Sequence, residues 1–367
     1  MEKLRLSSAG DRTSSSMDST KCCFSTTPSD YEVYIQMGHA CNGMASIYIG
    51  KHTPSKHFVA IRQVPLDDCS MDLEDLQNEI VMHRNFNNEY ILNYLSTFVS
   101  ESTLWMVMPL QGYGSCMDML QAHFRTGLPE LVIALILKQV LHALVYLHDR
   151  GVIHRSLRSS HILVSETGRA VITGLRNCYK LEKRGELEDK CWHFPTNSNK
   201  AISYYSPELL MQDLHGYDQS SDIYSLGVVA CELANGHTPF SNLQNFEILY
   251  EKLDANIPRL LDASTATFNP LTENDLYSKR RFSVEFHEFA EICCIQNPNS
   301  RPSAEELLKH EFFNQTKKVP YEELPNMLQP LTPLTDSALE KSENTAAVSS
   351  LTHDLANAGI AEFTWNF

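Results

Sequence analysis

Four short stretches of this 367-residue chain carry the side chains that could handle a charged ligand. The first is Gly38-His39-Ala40-Cys41-Asn42-Gly43, a glycine-framed turn between strand-like segments. The second is Val59-Ala60-Ile61-Arg62, an apolar strand that ends on a cation. The third runs His154-Arg155-Ser156-Leu157-Arg158-Ser159-Ser160-His161 and leads into the branched apolar run Ile162-Leu163-Val164. The fourth is Gly174-Leu175-Arg176. Arg62, Arg158 and Arg176 are permanent cations that would neutralise a polyanion if the fold brought them together. None of the four stretches contains a carboxylate, so none offers the ligand a hard divalent metal prefers. Each also has an ordinary reading: a plain hairpin, a half-exposed strand arginine, or surface charge.

The elements that must hold these residues follow from periodicity. Segments 31–37, 44–51, 57–64, 90–100 and 103–110 are rich in β-branched and aromatic residues and read as strands. Thr53-Pro54-Ser55 supplies a turn. Segment 72–84 reads as a helix, with Leu73, Leu76, Ile80 and His83 recurring on one face and Glu79 beside it. After Gly112-Tyr113-Gly114-Ser115 the period becomes helical. Segment 130–149 is apolar nearly all round, which predicts a buried helix, stopped by Gly151. Ser220 and Ser221 can cap a second buried helix over 222–234, closed by Gly236. Further helices are expected at 243–253, 285–296 and 303–310, with a loop over 261–281. The sum is an α+β chain with a small β-rich lobe and a larger helical lobe over 31–313. Residues 1–30 read as a disordered tail, and 314–367 as a Pro-rich, then polar, tail.

Composition narrows the field. A formal net charge of −15 argues against a general binder of nucleic acid or anionic membranes. Hydrophobic residues make up 43%, enough for real cores. The ten cysteines include no C-x-x-C pair, so a zinc ribbon is not indicated. The first sixteen residues lack the apolar stretch of a secretory signal. The uncharged run Leu131 to Leu137 is far short of the roughly 20 residues of a membrane span.

Taken together, the four stretches resemble the signature set of the eukaryotic protein kinases. The third resembles the catalytic loop H-R-D-L-x-x-x-N, with His154, Arg155 and Leu157 in place. Ser156 stands where the family has its proton-accepting Asp, and His161 where it has its metal-holding Asn. The first stretch resembles the glycine-rich loop, with Ala40 for its central glycine. The second resembles V-A-I-K, with Arg62 for the Lys that pairs with a helix glutamate, here Glu79. Counting twenty residues from His154 sets Gly174-Leu175-Arg176 at D-F-G; a slip to Ile172-Thr173-Gly174 also lacks the Asp. Ser206-Pro207-Glu208 resembles A-P-E, with Arg301 its ion-pair partner, and Asp222, Ser225 and Gly227 match D-x-x-S-x-G. Segment 104–115 is similar to the hinge of the STE20 kinases, with Met108 as gatekeeper. The resemblance implies an ATP site formed by Met37, Gly38, His39, Ala40, Cys41, Asn42, Gly43, Met44, Ala45, Ala60, Arg62, Met108, Leu110, Arg158, His161 and Arg176.

The Ser156, His161 and Gly174 set, with Leu209-Leu210, Leu214-His215-Gly216-Tyr217, 230–237 and the tail Leu324-Pro325…Pro330-Leu331-Thr332-Pro333, is similar to the STE20-related adaptor pseudokinases. That resemblance implies no catalysis and ATP as the ligand, and the cations Arg62, Arg158 and Arg176 predict that ATP binds without a magnesium requirement. The resemblance implies allosteric activation and nuclear export of a serine/threonine kinase of the liver kinase B type, in cytoplasm and nucleus. It also implies a third partner, an armadillo-like scaffold of the mouse protein 25 type, which the family's terminal Trp-Glu-Phe engages. This chain ends Trp365-Asn366-Phe367, keeping the aromatics and losing the acid. A STE20-like kinase of very low activity is the alternative reading.

Overall fold

The computed structural model describes residues 24–40, 43–67, 73–183, 186–187, 189–195, 201–212, 214–265, 277 and 279–334. Cys41, Asn42, Trp365 and Phe367 lie outside the described residues.

The small lobe is a five-stranded antiparallel sheet in the order β1-β2-β3-β5-β4. Its strands are β1 (Tyr31–Ala40), β2 (Ala45–His52), β3 (Phe58–Pro65), β4 (Ser96–Ser100) and β5 (Thr103–Pro109). Side chains alternate faces along a strand, and β3 shows what this does. Val59 and Ile61 enter an outer cluster with Tyr31 and Val107. Ala60 and Val64 point the other way, into a cluster with Met37, Ala45, Leu76 and Met108. Arg62 shares that inner parity and is fully buried.

Across the inner face lies helix α1 (Leu73–Asn85), which buries Leu76, Glu79 and His83. Leu73, expected on the inward face, is 53% exposed at the helix's first position, where no sheet lies opposite it. The strand expected over 90–100 is also shorter. Residues before Ser96 leave the sheet because Tyr90 and Leu92 bond the backbone of Ile172 in the other lobe. This short splice joins the two lobes behind α1.

The large lobe is built on helix α3 (Glu130–His148). By length and composition α3 could cross a membrane, but 67% of its apolar window is buried inside this fold. Ahead of it comes helix α2 (Cys116–Ala122), capped reciprocally by Ser115 and Asp118. Beyond α3, the antiparallel pairs β6 (Val152–Ile153) with β9 (Tyr179–Lys180), and β7 (Ile162–Val164) with β8 (Ala170–Ile172), frame the central loop. Helices α4 (Pro207–Leu210), α5 (Ser220–Asn235), α6 (Asn245–Leu253), α7 (Val284–Cys293) and α8 (Ala304–Leu307) complete the lobe.

Helix α5 starts earlier than its serines suggest. Ser220 and Ser221 lie inside it, no side chain caps its N-terminus, and Asp218 takes the Ser220 N–H instead. Gly236 ends it at φ +83°, as the sequence predicts. Two segments expected to be tails are partly built into the fold. Phe24 packs on the outer cluster, and the Ser25 carbonyl accepts bonds from Tyr31 and Ser96. After Phe313 the chain runs on through Leu324 and Leu328, both fully buried in the large-lobe core.

Candidate functional site

The site lies where the inner face of the sheet meets the β7–β8 pair. Met37, Ala45, Ala60 and Met108 form a roof, and Leu163 with Val171 a floor, all within one buried cluster. Ala60 lies opposite Met108 in the β3–β5 register. Met44 and Leu110 pack on the same cluster from its edge. This apolar seam between the lobes, the interlobe slot, has the composition that clefts for flat ligands share. Gly38, His39 and Ala40 continue β1 in pairing with Ile47, Ser46 and Ala45. Ala40 is fully buried, and Gly43 takes φ +93° with open space where a Cβ would be.

At the far end of the slot, Arg62 donates from both terminal nitrogens to Glu79, at 2.7 and 3.1 Å. Tyr94 adds a third hydrogen bond to Glu79 at 2.7 Å, and the His83 ring stacks on Tyr94 at 4.0 Å. Burial alone would raise the Glu79 carboxyl, but the Arg62 guanidinium outweighs it and holds Glu79 below the usual range. His83 goes the other way: burial drops its imidazole to about 4, so it is neutral at pH 7. Tyr94 was not predicted for this role. It sits in the stretch read as strand, where only its aromatic character was visible.

The central loop is held by its backbone. Buried Asp222, at the start of α5, accepts from the N–H groups of His154 (2.8 Å) and Arg155 (2.9 Å), and from His148 Nε2 (3.0 Å). Burial pushes the Asp222 carboxyl up, and these donors outweigh it and bring it below the usual range. His154 Nε2 donates to the Thr173 carbonyl at 2.9 Å, which joins the loop to the segment after β8. Arg155, at φ +59°, donates to the Asn177 and His193 carbonyls and to Tyr217 Oη. Below the loop, Glu208 and Arg301 form a buried two-bond fork at 2.6 and 2.8 Å.

The reacting positions are filled differently. His161 Nδ1 lies 2.6 Å from the Ser156 carbonyl and 3.3 Å from the Ser156 hydroxyl. Its Nε2 accepts from Arg158, whose Nε and Nη2 lie at 3.0 and 2.7 Å. This network assigns His161 the neutral tautomer protonated on Nδ1. Gly174 takes φ +85°, and a Cβ built there would lie 2.4 Å from His161 Nδ1. The imidazole thus fills the direction in which any side chain at 174 would project. Of the three arginines, Arg158 bonds His161. Arg62 is engaged by Glu79, and Arg176 turns to Asp75 on α1, at 3.4 Å. Asp75 went unnoticed in the sequence because it lies on the polar side of the helix pattern. Among the described residues, no cluster of three His, Cys, Asp or Glu is placed to hold a metal.

The chain matches the family model of the protein kinase domain over residues 31–313. It is 36% identical to STE20-related kinase adapter protein alpha of Homo sapiens, over 92% of this chain and 84% of that protein. The Gallus gallus protein of that name is 37% identical, over 83% and 86%. STE20-related kinase adapter protein beta of Homo sapiens is 33% identical, over 83% and 80%.

Proposed function

The chain belongs to the protein kinase family and, within it, to the STE20-related kinase adapter proteins, and from that premise we propose a catalytically inactive adaptor. It binds ATP in the interlobe slot and, in that state, activates a partner serine/threonine kinase of the liver kinase B type. An armadillo-like scaffold of the mouse protein 25 type completes the assembly through Trp365 and Phe367, and the complex carries the partner kinase from nucleus to cytoplasm. The observation that carries the inactive reading is the His161 ring lying against Gly174. A kinase needs a carboxylate there to hold magnesium, and a carboxylate base in the loop. Here the loop backbone is kept by Asp222 while Ser156, His161 and Gly174 offer neither group.

ATP fits the apolar roof and floor on the base side, and Arg158 is the cation nearest the altered positions on the phosphate side. A fixed guanidinium supplies charge neutralisation without a bound metal. Activation of the partner is then a population shift: the adaptor contacts the partner's active form better than its inactive form, typically by about 1–3 kcal/mol. The test is reconstitution. The partner kinase's activity rises when this chain and the scaffold are added together, and ATP raises the chain's melting temperature equally in EDTA and in magnesium. Robust magnesium-dependent phosphate transfer by the pure chain overturns the reading.

A further inference from the structure

The kinase-domain match ends at residue 313, yet the chain after it does not leave the fold. Leu324 and Leu328 are fully buried in the core of the large lobe, with Met327 and Leu331 packed on it. Ten residues past Leu324, Leu334 packs on the other cluster, the one that holds Met37, Ala60 and Met108. Between these anchors the chain therefore crosses from the large lobe to the edge of the slot.

Its path is marked by close contacts at two glycines and by a backbone hydrogen bond. Near its start, the Gly168 turn (φ +82°) faces the Tyr321 carbonyl so closely that a Cβ would lie 2.1 Å from it. Arg169 bonds the Tyr321 hydroxyl at 2.5 Å. At its end, the Leu334 N–H donates to the Gly112 carbonyl at 2.9 Å. Gly112 lies two residues after Leu110, on the segment joining the lobes. A Cβ there would sit 3.2 Å from the Pro333 Cβ and 3.1 Å from the Glu166 Cβ. Glycine at 112 is what lets the strap close on the hinge.

We propose that Pro333 and Leu334 are the outer wall of the slot: they clasp the hinge and cover its apolar mouth, so that the base of an adenine nucleotide is held partly by residues outside the kinase domain. This rests on the reading that the slot takes ATP. A clasp at the hinge acts on the base end of the ligand and leaves the phosphate end alone, so ATP and adenosine feel it alike.

The experiment uses the full chain, Leu334→Asp and Leu334→Met, titrated with ATP, adenosine and inorganic tripolyphosphate, with a ligand-free melt of each as the check on folding. Leu334 is half-buried, so Asp there is compatible with a folded chain. In Leu334→Asp, ATP and adenosine bind roughly tenfold more weakly, Leu334→Met restores both, and any tripolyphosphate binding is unchanged. ATP bound by the unaltered chain and equally tightly by Leu334→Asp overturns the clasp alone. Equal weakening of all three probes also overturns it, as general loosening of the lobes. If the unaltered chain binds no ATP, the underlying reading falls and the clasp with it.

Discussion

Each lobe contains a buried arginine–glutamate fork, and the two are built almost alike. Arg62 meets Glu79 at 2.7 and 3.1 Å, and Arg301 meets Glu208 at 2.6 and 2.8 Å. Their surroundings differ. Arg301 has further acceptors: it also donates to the Ile295, Gln296 and Ser220 carbonyls, and lies over the Tyr224 ring at 5.1 Å. The Arg62 fork is buried just as fully, and Tyr94 adds a hydrogen bond to its glutamate. A lysine in its place would offer a mobile point charge; arginine's planar fork locks onto the carboxylate with two bonds. At position 62 a residue suited to serving a ligand has become one suited to bracing a helix, much as in the large lobe.

That comparison can be broken by measurement. Glu208→Ala leaves the buried Arg301 charge without its carboxylate, and is expected to lose about 3–5 kcal/mol in urea unfolding. Glu79→Ala is expected to lose about as much, about 3–5 kcal/mol, because Arg62 is fully buried as well. A markedly smaller loss for Glu208→Ala would mean that the carbonyls around Arg301 hold its charge without the glutamate. Hydrogen exchange should speed up in α1 for Glu79→Ala, and across α5 for Glu208→Ala.

Restoring a carboxylate tests the slot itself. Gly174→Asp forces a side chain into a left-handed backbone and against His161, at an expected cost of about 1–3 kcal/mol. The double change with His161→Asn should recover part of that loss, and a thermodynamic cycle giving additive losses would show that the ring is not the obstacle.

Acid should act on the small lobe through His83. Its folded value, about 4, lies below the unfolded 6.5, so between these values the unfolded chain binds the extra proton. Stability therefore falls as pH is lowered through that window. His83→Phe should flatten the fall, and an unchanged pH profile would remove His83 as its source. At the bottom of the scale, Lys309 and Glu305 form an exposed pair one turn apart. Lys309→Ala should change stability by at most about 0.5 kcal/mol, which sets the floor against which the buried forks are judged.

Much of this was legible in the chain because it depends on period and spacing. The alternation of Val59, Ala60 and Ile61, the inward place of Glu79 and the stop at Gly236 all follow from local rules that packing did not override. Helix α2 was missed although Ser115 and Asp118 spell a capping box, since their segment is only seven residues long. Tyr94, Asp75 and the carbonyl of Thr173 were out of reach, because each acts on a partner far away in sequence. The strap to Leu334 was hidden by its composition: prolines and scattered leucines read as tail until a core is present to receive them.

The contact between Gly174 and the His161 ring also gives the loss a direction in time. A lineage that regained only the acid at 174 would meet a wall of imidazole, and one that regained only asparagine at 161 would find no acid to share a metal with. Neither single step is rewarded, so recovering a metal site requires two coordinated changes, whereas drift is permitted at both. The geometry works as a ratchet.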